Sequence, residues 1–151
     1  MRLRRRLFHL WFLARRPLTF GVRGVVHDAA ANTVFLIRHT YVCGWHLPGG
    51  GVEVGETALA ALARELVEEG NIEITAPPVL KSIHFNRHAS RRDHVAIYLV
   101  PAFRQTGPKL PDVEIAEAGF FPLDALPRAT TAGTRRRLAE IFDGVEPCDE
   151  W

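Results

Sequence analysis

Between Thr57 and Glu69 the chain runs without a glycine or proline and is rich in Ala, Leu and Glu. Such residues lose little side-chain freedom on coiling, so the segment is a strong helix former. Gly49-Gly50-Gly51 precedes it and Gly70-Asn71 follows it; Gly and Asn both accept the left-handed conformation that ends helices. At about 100° per residue, Leu59, Leu62, Ala63 and Leu66 form a face that can bury against a sheet. Glu65, Glu68 and Glu69 fall on a neighbouring arc of about 100°. Carboxylates so placed repel one another, and they stand near the helix C-terminus, where the macrodipole disfavours negative charge. A helix that accepts both penalties either turns that face to water or holds a cation against it. Oxygen-only ligands select a hard ion such as Mg²⁺ or Mn²⁺. Ala58 and Ala61 are expected to leave room beside the glutamates, and the glycine loop lets backbone approach anionic oxygens. Metal with close-approach backbone suits phosphate chemistry.

Around this helix the pattern is mixed. Thr19–Val26 and Thr33–Arg38 are enriched in β-branched and aromatic residues and are separated by the polar stretch His27–Asn32, which predicts neighbouring strands. Ile72–Phe85 and His94–Phe103 read as further strands, with Pro77-Pro78 breaking the first or lying at a sheet edge. Ile115–Phe121 reads as a short strand, and Thr131–Phe142 as a last helix with Leu138, Ile141 and Phe142 on one face. Strands and helices do not alternate regularly, which argues for α+β with a mixed sheet rather than a doubly wound dinucleotide fold.

The chain's 151 residues suit one domain with one core. A net charge of +2 is too balanced to imply a nucleic-acid partner by itself. Cys43 and Cys148 form neither a CxxC pair nor a zinc pattern, which fits a reducing, cytoplasmic setting with Cys43 a spectator thiol. No apolar run reaches the ~20 residues that span a bilayer. The Arg-rich start followed by Leu7–Ala14 is like the first two regions of a signal peptide. Arg15, Arg16 and Pro17 stand where a small-residue cleavage site belongs, so the segment reads as part of the mature chain. Leu3, Leu7, Leu10, Trp11 and Ala14 recur at helical spacing, predicting a basic amphipathic helix over residues 3–15. Such a helix docks on its own domain or a second subunit, or lies weakly on a membrane surface. The expected division is residues 1–16 for this helix, 17–145 for the folded domain and 146–151 for a tail.

The segment from Gly50 to Ile72 resembles the Nudix box, G-x5-E-x7-R-E-U-x-E-E-x-G-U with U a bulky aliphatic residue. Gly50, Glu56, Arg64-Glu65, Leu66, Glu68-Glu69 and Ile72 match in order, with Asn71 standing where the family has its final Gly. Trp45-His46-Leu47-Pro48-Gly49 looks like the family's lead-in. Phe20–Arg38 and Glu114–Pro127 look like its opening strands and its closing strand and turn, so residues 18–142 are accounted for. The resemblance implies an α/β/α sandwich around a central mixed sheet.

It also implies roles. Glu65, Glu68 and Glu69 would bind Mg²⁺ or Mn²⁺ with the Gly49 carbonyl, and Glu65 is the candidate in the box for activating water. Arg64 and Glu56 are expected to form an ion pair fixing the loop to the helix. Glu114 is the preferred carboxylate from outside the box, with Glu117 and Asp93 as competitors. Arg38, His39, Tyr41 and Trp45 precede the box and should border the pocket beside Gly50. Arg23, Arg87, Arg91 and Arg92 are candidates for phosphate, and Trp45 and Phe85 for stacking on a base.

The implied activity is metal-dependent cleavage of a pyrophosphate linkage in a nucleoside diphosphate joined to another group, as in nucleotide sugars, ADP-ribose or nucleoside triphosphates. Pyrophosphate removal from an RNA 5′ end and a nucleotide sensor with little turnover are the alternatives. A homodimer is expected, since the apolar side of residues 3–15 suits a second subunit.

Overall fold

The computed structural model describes Trp11 and residues 17–151. The helix expected over residues 3–15 lies outside the described residues except for Trp11, which is helical and exposed.

β1 (Thr19–Asp28) and β2 (Thr33–His39) pair antiparallel across a tight turn. Asp28 Oδ1 accepts the Ala30 and Ala31 N–H groups there, and Asn32 takes the positive φ that closes the turn. α1 (Ala58–Gly70) begins at Thr57, whose hydroxyl accepts the Ala60 N–H. It ends at Asn71, left-handed at φ 54°, whose N–H returns to the Leu66 and Val67 carbonyls. The apolar run after it divides at Pro77-Pro78 into β3 (Ile72–Ile74) and β4 (Val79–Phe85). β5 (Asp93–Val100) stops before Pro101, and Phe103 opens a separate strand, β6 (Phe103–Gln105), antiparallel to β3. That ribbon is not legible in the sequence because three-residue strands carry too little alternation. β7 (Ile115–Pro122) and α2 (Ala132–Phe142, capped by Thr131) complete the fold.

The main sheet has the order β4-β5-β1-β2-β7. β1 and β5 run parallel and the other neighbours antiparallel, so the sheet is mixed as expected. α1 covers one face through Ala61, Leu62 and Leu66 against Val22, Val26, Phe35, Ile37 and Ala96. α2 covers the other through Leu138, Ile141 and Phe142 against Val25, Val34, Leu36 and Ile97. Each large apolar side chain so buried contributes about 1.5–3 kcal/mol. The buried stripe of α1 is rotated from the expected one. Ala61 is fully buried in the core rather than beside a ligand, while Leu59 is half exposed. Packing against the sheet selects the stripe centred on Leu62 and Leu66, which places Glu65 and Glu69 at its margin.

Residues 146–151 do not trail into solvent along their whole length. Glu150 bridges in parallel with Phe85, the Phe85 N–H donates to the Asp149 carbonyl at 2.8 Å, and the Trp151 N–H donates to the Phe85 carbonyl at 3.1 Å.

Candidate functional site

Arg64 lies on α1 with its guanidinium turned to the loop before the helix. Its Nε donates to Glu56 Oε1 and its Nη2 to Glu56 Oε2, each at 3.0 Å, a two-pronged pair as the spacing led us to expect. Nη2 also reaches the Gly51 carbonyl at 3.2 Å, and Nη1 donates to Glu65 Oε1 at 2.7 Å. Glu56 in turn accepts the Glu53 N–H at 3.0 Å. One planar cation therefore gathers a helix carboxylate, a loop carboxylate and a loop carbonyl, which a lysine's point charge could not do. The pairing raises the Arg64 pKa and lowers that of Glu56.

The loop between β2 and α1 crosses the ends of the strands by backbone pairing: Val22 N–H to Gly50 O, Gly24 N–H to Pro48 O, and Val52 N–H to Phe20 O. At Gly49, φ is +135° and a Cβ would lie 2.1 Å from the Val22 carbonyl, so no other residue fits. At Gly50 a Cβ would strike the Glu65 carboxylate at 2.3 Å. The glycines thus let α1's carboxylates lie directly against the loop.

Glu69 is the buried member, 6% exposed, and its Oε2 accepts the Gly49 N–H at 2.6 Å. Burial raises its pKa to about 7, with the Glu65 and Glu114 charges adding to the effect and the Gly49 N–H and Arg23 opposing it. Beside it, His39 Nε2 stands 3.9 Å from Glu69 Oε1, and burial lowers the His39 pKa. Glu65 is half buried, whereas the Glu68 side chain is 59% exposed, with its Oε2 3.6 Å from Arg64 Nη1. Together with Asp112 and Glu114, Glu68 and Glu69 border a cleft of about 590 Å³. A somewhat larger hollow of about 630 Å³ is bordered by Asp124, Asp143 and Arg135, and none of the box's glutamates lines it.

The chemistry of these groups, oxygen throughout, suits a hard divalent cation. A carboxyl held at about 7 by burial and by two neighbouring carboxylates is one that a cation would ionise. Among the described residues no three candidate ligands already converge on one point, because Glu65 and Glu68 are turned to Arg64. The Gly49 carbonyl faces a positive group as well: Arg23 Nη1 donates to it at 2.5 Å and to the Leu47 carbonyl at 3.2 Å. An ion at Gly49 would therefore share that carbonyl with Arg23 or displace it.

A family model for the NUDIX domain matches residues 17–141. The chain belongs to the Nudix family. A protein of Mycobacterium tuberculosis named as a mutator protein, MutT4, is 36% identical over 104 residues, 66% of this chain and 41% of that protein. A Bacillus subtilis protein named as an ADP-ribose pyrophosphatase, YjhB, is 29% identical over 133 residues, 85% of this chain and 62% of that one. The chain thus spans less than two thirds of the length of these two relatives. The crystal structure of a MutT Nudix hydrolase from Burkholderia pseudomallei superposes with a TM-score of 0.69 at 26% identity, covering 82% of this chain and 97% of that one.

The other candidates around the Nudix box are dispersed. Arg38 and Glu117 face each other in register on β2 and β7 and form an exposed pair at 2.9 Å, which engages that competitor for the metal. Asp93 is engaged by the Thr19 hydroxyl at 2.7 Å and the Asn86 amide at 2.8 Å. Tyr41 is exposed, with its ring 5.0 Å from that of His39. Trp45 packs edge-on to Phe121 at 4.7 Å in the α2 core, the more frequent fate of a large aromatic. Arg87 and Arg91 border a separate hollow with Phe85, and Arg92 is exposed beside them. Asp112, Asn86 and Trp151 carry no signal in the sequence for the places they take here. Asp112 is held at about 2, chiefly by the Ile115 N–H, and shapes the turn carrying Glu114. No spacing rule points to these residues, since each arrives from a different part of the chain.

Proposed function

We propose that the chain is a divalent-metal-dependent pyrophosphohydrolase that cleaves a nucleoside diphosphate joined to a second group, releasing a nucleotide and a phosphorylated product. The observation that carries this is the Glu69 carboxyl, buried against Gly49, beside Glu65 and Glu114, and poised near 7. Glu65, Glu68, Glu69 and the Gly49 carbonyl would hold Mg²⁺ or Mn²⁺, with Glu114 reaching the same cleft from the loop before β7. When bound, the ion would neutralise charge developing on the bridging phosphates and lower the pKa of an attacking water.

The protein's own groups do the rest. Arg64 holds Glu56, Glu65 and the Gly51 carbonyl in one arrangement, which ties the loop to the helix. Were Glu65 and Glu68 to hold an ion, Arg64 would still be fixed by its two-pronged pair with Glu56. Glu65, beside the loop where phosphate oxygens approach backbone, is positioned to take the proton of the attacking water. Nucleotide-derived substrates are supported by the name of the Bacillus subtilis relative, an ADP-ribose pyrophosphatase. The choice among ADP-ribose, nucleotide sugars and nucleoside triphosphates lies in loops outside the box.

The test is a screen of these substrates with Mg²⁺ and Mn²⁺ beside Glu68→Gln. The variant is expected to lose about 10²-fold or more in kcat, since it removes a charge that would sit on the ion. Equal turnover by variant and wild type would refute the assignment.

A further inference from the structure

Trp151 is held more firmly than the end of a surface segment needs to be. Its N–H is fixed to the Phe85 carbonyl. Its ring lies under the Arg137 guanidinium, 5.6 Å from centroid to Cζ, and edge-on to His84 at 6.1 Å. On the helix side it presses on Gly133, where a Cβ would come within 2.9 Å of the indole nitrogen. Behind it lies a closed polar cluster. His84 Nε2 is 2.7 Å from Ser82 Oγ, Arg137 Nη1 and the Cys148 carbonyl both approach His84 Nδ1 at 2.6 Å, and Arg137 Nη2 donates to Glu140 at 2.7 Å. Arg137 and His84 are each 1% exposed. Placing a guanidinium so deep is expensive; Arg137 Nη1 meets His84 and the Glu150 carbonyl and Nη2 meets Glu140, while Nε has no partner among the described residues, so the cluster ties the segment ending in Trp151 to β4 and α2.

The free side of the indole borders a cavity of about 80 Å³, whose other walls include Arg23, His46, Leu47, Asn86 and Thr134. At roughly 30 Å³ per water, that is room for two or three waters, or for the substituted edge of a ring rather than a whole one. Arg23 is the wall shared with the catalytic centre: its guanidinium bonds the Gly49 carbonyl, and its charge is felt by Glu69 and His39. A recess lined by residues that carry guanidinium, carboxamide, hydroxyl and aromatic groups suits the polar edge of a heteroaromatic base.

We propose that Trp151 is a specificity-determining residue, closing the recess that receives the edge of the substrate's base and limiting which substituents that edge can carry. The proposal rests on the nucleotide-hydrolase reading above. It makes the segment after α2 part of the substrate site, although that segment lies beyond the residues the family model matches. A packed aromatic wall excludes an added group sterically, and removing the wall relieves that exclusion only for the analogue whose group points at it.

The experiment compares ATP with analogues bearing a bulky group at N6, C2 or C8 of the base, for wild type, Trp151→Ala, Trp151→Phe and Gly133→Ala. Each is read as kcat/KM and, with metal but under non-hydrolysing conditions, as Kd. Wild type is expected to reject at least one analogue, and Trp151→Ala to recover that one at least tenfold relative to ATP while the others keep their ratios. Trp151→Phe should recover it partially. Gly133→Ala, which moves the indole without altering it, should change the same ratio. A uniform loss across all substrates, or unchanged ratios in every variant that folds, would overturn the proposal and assign Trp151 to stability alone. Because Kd is read separately, the specificity ratios decide this proposal even where ATP is bound without being cleaved; the hydrolase reading falls only if no substrate of the screen above is cleaved, whereas a chain that bound neither ATP nor any analogue would overturn this proposal alone.

Discussion

The Gly49 N–H donates to the Glu69 carboxylate at 2.6 Å, joining the loop before the helix to the helix's last turn across twenty residues of sequence. This contact places a carboxyl in a buried position while leaving it one strong donor, and the balance determines how the protein responds to pH.

Burial holds Glu69 at about 7, against an ordinary value of 4.5. A raised carboxyl favours the protonated fold, so stability without metal should be greatest below about pH 4.5 in this respect and fall as pH rises to 7, then level off. The size of the fall is up to about 3 kcal/mol. Urea titrations between pH 5 and 8 in EDTA should show the decline. Mg²⁺ should remove most of it, because the ion stabilises the ionised form, and Glu69→Gln should flatten it without metal. A decline of the same size in Glu69→Gln would place its origin elsewhere.

Arg64→Lys keeps the charge and loses the fork. We expect kcat/KM to fall by about 10–100-fold, with a Tm lower by a few degrees, since one ammonium cannot hold Glu56, Glu65 and the Gly51 carbonyl together. Steady-state kinetics with a thermal melt check both. Retention of wild-type kinetics would mean that charge alone matters at this position.

Gly50→Ala places a methyl 2.3 Å from a Glu65 carboxylate oxygen, whereas a methyl at Gly51 meets nothing within 4 Å. The first substitution should weaken apparent Mg²⁺ affinity by about 10-fold or more, because Glu65 must swing away from the loop. The second should cost much less. Metal titration of activity distinguishes them, and equal effects would show that loop flexibility, not Glu65 placement, is what the glycines supply.

Asn71, standing where the Nudix pattern has glycine, does two things at once. Its backbone takes the left-handed cap, and its side-chain amide donates to the Pro108 carbonyl at 3.1 Å. Asn71→Gly should therefore change stability by less than about 1 kcal/mol, the gain in backbone ease offsetting the lost bond. Asn71→Ala, with neither advantage, should cost about 1–2 kcal/mol. Chemical denaturation measures both, and a larger loss for Gly than for Ala would reverse the assignment.

The helix, its ends, the pairing of Arg64 with Glu56 and the opening strands were all legible because each depends on residues close in sequence or at helical spacing. Propensity, capping and the 3.6-residue period act locally, so Thr57, Asn71 and the run between them carry their own instructions. The same locality explains what stayed hidden. Which stripe of α1 is buried, and hence that Ala61 joins the core, was decided by the sheet beneath it. That Glu69 alone of the box's glutamates is buried, that Arg23 bonds the Gly49 carbonyl, and that Trp151 returns to β4 were decided by contacts spanning 20 to 66 residues, the last shown by the Trp151–Phe85 hydrogen bond. Sequence determined the elements and the chemical inventory of the box, because those follow from nearest neighbours. Burial, and with it the shifted Glu69 and the small cavity beside Trp151, exists only once distant segments have displaced water together.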